Sequence, residues 1–271
     1  MNQRRLLIRI IPIAIAALVV FFQYASSEKV TNEAGRSARL ALSPEEEKAL
    51  GLQSYQQVLQ ESRLVESGPE YELVKRVAQR LAGATGPAAK TFDWRVSLVD
   101  SPQINAFCLP GGKIVVYTGI LPVAKTEAGL ATVMGHEMAH ATLRHGSERL
   151  LQQKATQTLM TGAQASLGDM SYEQQRAVMV AIGAGAKYGV QLPFGREHES
   201  EADKIGLFYM ARAGYDPRES VAFWQRMSEA TAGSGKPPEF MSTHPSDSTR
   251  IAQLKELIPQ ALPEYERALG R

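Results

Sequence analysis

The sequence predicts a mostly α-helical α+β domain with a small β-sheet, preceded by an apolar N-terminal segment. Three observations predict it. Helical signals dominate the 271 residues, as caps, apolar stripes and alanine-rich runs. Only two stretches read as strands: Phe92, Trp94, Val96 and Leu98 alternate, and Lys113 to Thr118 follows the turn Pro110-Gly111-Gly112. A hydrophobic content of 44% with a formal charge of +2 fits one globular domain of about 230 residues plus an appendage.

The appendage is residues 1–29. Arg4, Arg5 and Arg9 precede the apolar run Ile10 to Phe22, and counted from Leu6 the stretch is 17 residues, at the lower limit for a membrane span. The following Gln23-Tyr24-Ala25-Ser26-Ser27 is a poor signal-cleavage site, because Gln23 and Tyr24 are large. An uncleaved membrane anchor is therefore favoured over a cleaved signal. It leaves the arginines cytoplasmic and the following domain outside the inner membrane. Residues 30–42 are polar and read as an extended linker to a domain spanning 43–271.

Within that domain, Ser43-Pro44-Glu45-Glu46 is a capping box that opens a helix to about Glu61. Tyr71, Val74, Ala78 and Leu81 mark a helical face in Pro69 to Leu81. A helix is expected from Thr126 to about Leu150. The alanine-rich Leu151 to Leu192 reads as two helices broken at Gly168-Asp169. Another helix runs from Glu197 to Ala213, stopped by Gly214. Asp216-Pro217-Arg218-Glu219 caps the next, to about Ala230. Ala232 to Pro238 is a flexible loop, Thr249 to Leu257 a final helix, and Pro263 to Leu269 a tail.

Composition excludes some functions. Acids and bases are interspersed, so nothing argues for nucleic acid. Cys108 is the only cysteine, which rules out an intramolecular disulfide. It reads as a small buried apolar residue, not a thiol nucleophile.

The chemistry is carried by His136-Glu137-Met138-Ala139-His140, an H-E-x-x-H in an apolar helical run. Residues four apart share a helix face, so both imidazoles can hold one metal ion. The glutamate between them lies beside a metal-bound water. Two imidazoles and a carboxylate in a buried helix need partners, and a zinc ion supplies them. A catalytic zinc takes three protein ligands and keeps one open position. His145 lies five residues past His140, turned away, and the metzincin position holds Gly146. The better candidates are Glu199 and Asp203, at i, i+4 on a second helix: one to ligate, the other to orient a ligand imidazole. Glu197 and Glu201 compete with Glu199.

With these motifs the chain resembles peptidase family M48 of zinc endopeptidases. Further matches are Asn105-Ala106-Phe107, Pro110-Gly111-Gly112-Lys113, Tyr117 to Leu121, and Ser242-Thr243-His244-Pro245 with Arg250. The short layout with one N-terminal anchor is similar to the bacterial Oma1-like members, not to the multi-spanning CAAX proteases. The resemblance implies a gluzincin-type fold, one Zn2+ per chain, and Glu199 over Glu201 as third ligand. It places His244 near the zinc, as oxyanion donor or displaceable fourth ligand. Read without the resemblance, His244 is a loop histidine. Arg250 is nominated with it to share the oxyanion charge. Gly195 stands where relatives carry Ser before Arg196, which removes any role for that hydroxyl.

The expected reaction is peptide hydrolysis, with Glu137 as base and then acid. The edge of the strand Lys113, Ile114, Val115, Val116, with Asn105, is expected to bind substrate by β-augmentation. Expected substrates are misfolded or unassembled proteins of the bacterial envelope. A metal-stabilised chaperone for such proteins, a structural zinc domain and a soluble periplasmic form are the alternatives. A structural zinc fits least, since it needs a fourth ligand and usually cysteines.

Overall fold

The computed structural model describes residues 3–231, 240, 244 and 248–271, and the side chains of residues 1–9, 88, 231 and 248 also lie outside the described set. The expected loop from Ala232 to Pro238 falls outside it too. The chain forms two compact units. The smaller comprises Met1–Thr31, Ser37–Ser43 and His145–Glu197; the larger comprises Asn32–Arg36, Pro44–Arg144 and His198–Arg271.

The smaller unit opens with helix α1 (Gln3–Ser26). Among the described residues no helix is long and apolar enough to cross a membrane. Arg39 donates to the carbonyl of Tyr24 and to Ser27 Oγ, covering acceptors at the end of α1 that have no helical partner. Strands β1 (Glu28–Thr31) and β2 (Ser37–Leu40) pair antiparallel, Glu28 opposite Leu40 and Thr31 opposite Ser37. Residues 30–42 are therefore not an extended linker. Ala38 and Leu40 bury alternate positions of β2, a pattern too short and too weakly apolar to stand out in sequence. The intervening turn is closed by the Asn32 side chain, which accepts from the Arg36 amide, and by Gly35 at φ +89°. Helix α6 (His145–Ser166) packs on α1 where Gly162 meets Pro12 and Ala16. Helix α7 (Tyr172–Ala186) starts with a capping box between Ser171 and Gln174, and a π-helical turn (Lys187–Gln191) follows.

The larger unit holds α2 (Pro44–Glu61), β3 (Leu64–Val65), α3 (Pro69–Ala84), β4 (Arg95–Val99), β5 (Ala106–Leu109) and β6 (Lys113–Tyr117). It continues with α4 (Leu121–Ala124), α5 (Glu127–Thr142), α8 (Leu192–Arg212, from His198 onward), α9 (Glu219–Thr231) and α10 (Ser248–Ala268). The sheet order is β3-β4-β6-β5, with β6 parallel to β4 and antiparallel to β5. Strand β6 is thus interior, and β5 and the two-residue β3 form the edges. That overturns the expectation that β6 offers an edge to substrate: both its hydrogen-bonding sides are used, and Ile114, Val115 and Val116 are fully buried.

Several helix boundaries differ from the expected ones, among them the start of α8 at Leu192 instead of Glu197, and two have a clear cause. The single helix expected to reach Leu150 stops at Thr142, because Arg144 takes φ +62° and turns the chain. An ion pair from Arg144 to Glu47 at 2.8 Å secures that turn. At the C-terminus, α10 runs through Pro259 and Pro263 instead of ending at Leu257. Burying Leu254 and Ala261 along one stripe, with Ile258 and Tyr265 packed beside them, outweighs the amide donors lost at the prolines.

Helix α5 is buried on almost every side, as its apolar composition requires. Thr126 caps it, accepting from the Gly129 amide. It meets α8 backbone to backbone. A Cβ built on Gly206 would lie 2.7 Å from the His136 amide nitrogen, and one on Gly135 would lie 3.0 Å from the Gly206 carbonyl. The two backbones therefore touch at a Gly–Gly crossing that admits no side chain.

Gly206→Ala should consequently lower the unfolding free energy by about 1–3 kcal/mol through overpacking. Urea titration of the two proteins measures this, and coincident midpoints would show that the crossing has room to spare.

Candidate metal centre

The crossing brings three ligand-type side chains and their support together. From α5 come His136, Glu137 and His140. From α8 come Glu199 and Asp203. His244 completes the group, its amide bonded to the Phe240 carbonyl one turn earlier at 2.8 Å. His136 Nε2 lies 3.1 Å from His140 Nε2, 3.3 Å from Glu199 Oε2 and 3.2 Å from His244 Nδ1. His140 Nε2 lies 3.3 Å from Glu199 Oε1. Ligands at about 2.0–2.1 Å from a tetrahedral zinc stand roughly 3.4 Å apart. The observed spacings fit one small cation bound by His136, His140, Glu199 and His244, whose donor atoms lie within 4.8 Å of one another. Imidazole nitrogens and a carboxylate are the donor types zinc takes.

Glu137 stands beside this group. Its Oε1 is buried with no hydrogen-bond partner among the described residues, and His244 Nε2 is 3.5 Å away. Burial pushes its carboxyl pKa up, partly offset by His244 and His136. Such a carboxylate is a stronger base than an exposed one.

The opposite face of His136 is tied down. Its Nδ1 donates to Asp203 Oδ1 at 2.8 Å, which leaves Nε2 for the cluster. Arg250 grips Asp203 with both Nε and Nη2 at 2.7 Å, and its guanidinium lies 3.6 Å from the centre of the Trp224 ring. Nη2 also reaches Glu199 Oε2 at 3.2 Å. In this arrangement Nε and Nη2 of Arg250 hold the carboxylates behind His136, where they position them. Burial raises the Asp203 pKa, but Arg250 and His136 overcome it and hold the carboxyl below its usual range. Glu199 is likewise held low, since contacts with His136, His140 and His244 outweigh its burial. Burial and Arg250 both pull His136 down, yet Asp203 and Glu199 win and raise it to about 9.

The other candidates fall elsewhere. Glu201 is bound by Arg36 at 2.5 Å and by Asn32 at 3.1 Å, which removes it from the cluster. Glu197 is exposed, and His145 opens α6 in the smaller unit. Lys113 is buried and donates to the Asp93 and Gly111 carbonyls, so it fastens the β5–β6 turn. Asn105 is buried at the start of β5, its carbonyl accepting from the Tyr117 amide at 3.1 Å. Burial pushes the Cys108 thiol far up, consistent with an inert apolar role.

Several supporting residues were missed in sequence. Trp224 carries Arg250. The turn Asn32–Arg36 steadies both ligand helices, since Tyr209 donates to Glu33 Oε2 at 2.6 Å and lies 2.9 Å from Thr142 Oγ1, two residues past His140. No spacing signals these pairs, which join residues 67 to 176 positions apart.

A cation must displace the proton of His136 in the metal-free protein. Zinc affinity should therefore rise with pH up to about 9, by roughly tenfold per unit. Competition with a chromophoric chelator reads this out, and a flat affinity above pH 7 would contradict the proton competition. Asp203→Asn should weaken zinc by about 10- to 100-fold while Glu201→Ala changes it little; the reverse order in the same titration would overturn the assignment.

The comparisons agree with this geometry. The model of Peptidase family M48 matches residues 69–258. The mitochondrial metalloendopeptidase OMA1 of Schizosaccharomyces pombe is 37% identical over 79% of this chain and 62% of its own length. The human metalloendopeptidase OMA1 is 32% identical over 96% of this chain and 51% of its own. The β-barrel assembly-enhancing protease of Escherichia coli is 27% identical over 92% of this chain and 52% of its own. The chain thus spans only about half to three-fifths of these relatives. A family match over most of the chain, which takes in both helices that carry the His and Glu cluster, establishes that the chain belongs to peptidase family M48.

Proposed function

We propose that the chain is a zinc-dependent metalloendopeptidase in which His136, His140 and Glu199 hold the ion and Glu137 moves the proton. The observation that carries the reading is the unpartnered, buried Glu137 Oε1 beside a donor set spaced for one small cation. Zinc bound there would polarise the scissile carbonyl and lower the pKa of its water toward neutrality. Glu137 accepts the proton of the attacking water and returns it to the leaving amine; its raised pKa suits both transfers. Asp203 and Arg250 fix the His136 tautomer and cost no reorganisation during the reaction.

His244 acts as a displaceable fourth ligand. Its Nδ1 is as close to His136 Nε2 and to Glu199 as the other donors are to one another, which describes a closed resting set. Swinging it away opens the fourth position to substrate. The peptide then lies along β5, whose outer side is unpaired in the sheet. The relative named for β-barrel assembly supports unfolded or misassembled envelope proteins as substrates. The apolar run behind Arg4, Arg5 and Arg9 supports an anchor at residues 1–29, with the catalytic domain outside the inner membrane.

Glu137→Gln should keep metal and fold while casein cleavage falls by about 100- to 10,000-fold. Cleavage near the wild-type rate would remove Glu137 from the mechanism. His244→Ala should keep zinc and raise basal cleavage, because the closing ligand is gone. A fall of about 100-fold would make His244 an oxyanion donor instead.

A further inference from the structure

Helix α7 and the turn after it form a helical segment of the smaller unit with no buried residue. It nonetheless exposes Tyr172, Val180, Ile182, Tyr188 and Val190, Tyr172 by 77% and Val180 by 65%. The same unit exposes the apolar face of α1 from Ile10 to Phe22. Among the described residues, every exposed large apolar side chain lies in this unit except Leu50, Leu52 and Leu269. Single exposed apolar residues need no explanation, but their concentration on one unit does.

Charge follows the same division. By sequence the smaller unit has ten Lys and Arg against five Asp and Glu, a net charge of +5. The larger has the remaining twenty against twenty-three, a net charge of −3. Across the exposed stretches the charge drops out: no ionisable side chain other than Tyr24 interrupts Ile10 to Ser27, and none interrupts Ala177 to Ala186. Basic residues, Arg176 and Lys187, bracket the second stretch, and Tyr172 and Tyr188 stand near its ends. An uncharged, largely apolar stretch with basic residues at both ends and aromatic residues near them, and one acid, Glu173, in its first turn, has the composition of an element lying in the headgroup and acyl boundary of an anionic bilayer.

We propose that α7 and the turn Lys187–Gln191 form a membrane-docking face, seated in the surface of an anionic lipid bilayer and separate from any anchoring by α1. A second copy of the chain fits this face less well, because it would bring one net +5 unit against another. Docking of this kind needs no spanning helix.

The test uses the full chain with the half-buried Cys108 replaced by alanine and Val180→Cys carrying an environment-sensitive fluorophore. Matching labels at Val19→Cys on α1 and Leu50→Cys on α2 serve as anchor report and control. The probe is a vesicle of phosphatidylcholine with or without about 30% phosphatidylglycerol, a content that gives an anionic surface. The Val180 label should shift to the blue on vesicles containing phosphatidylglycerol. It should lose about half its intensity when the acyl chains are brominated, as expected for residues at the acyl boundary, while the Leu50 label stays unchanged. A quenched Val19 label with an unshifted Val180 label would leave the anchor standing and overturn the proposal. A Val180 shift that grows with protein concentration and needs no vesicle would overturn it in favour of self-association.

Discussion

Two glycines let α5 and α8 touch backbone to backbone, and the metal centre hangs from that contact. Gly135 precedes His136 directly, and Gly206 faces both. With no Cβ at the crossing, His136 comes within 2.8 Å of Asp203 and 3.3 Å of Glu199. A crossing opened by one methyl group would put those separations beyond hydrogen-bond and ligand range. Burial of α5 on almost every side then fixes the helix so that His136, Glu137 and His140 keep one orientation.

The second requirement is electrostatic. His136, Asp203 and Arg250 are almost fully buried, where a lone charge is costly. Each is tolerated because its neighbour carries the complementary group: Trp224 under Arg250, Arg250 on Asp203, Asp203 on His136. Removing one member of a buried ionic set leaves another uncompensated, typically at about 3–5 kcal/mol. The raised pKa of His136 in the metal-free protein expresses the same balance: the carboxylates around it call for a positive charge, which a proton or a divalent ion can supply.

What was legible in the sequence was local. The i, i+4 spacing of His136 and His140, and of Glu199 and Asp203, specifies a helix face without knowledge of the fold. The signals at Ser43-Pro44 and Asp216-Pro217 fall at or just before the helix starts Pro44 and Glu219 for the same reason. What was not legible depended on distant residues. The β1–β2 hairpin hides in a polar stretch because only Ala38 and Leu40 are buried. Strand β5 is visible only as the partner of β6, and its presence moves the free edge of the sheet away from β6. The turn at Arg144 depends on Glu47, 97 positions earlier. Arg250 could be nominated, but its contacts could not, since Trp224 and Asp203 meet it only in the folded chain.

X-ray absorption at the zinc edge of the metal-loaded full chain tests the central claim most directly. The account predicts one zinc per chain in an all nitrogen and oxygen shell at about 2.0–2.1 Å, with imidazole scattering from His136, His140 and His244 and none from sulfur. Absence of stoichiometric zinc, or a shell without imidazole, would contradict it.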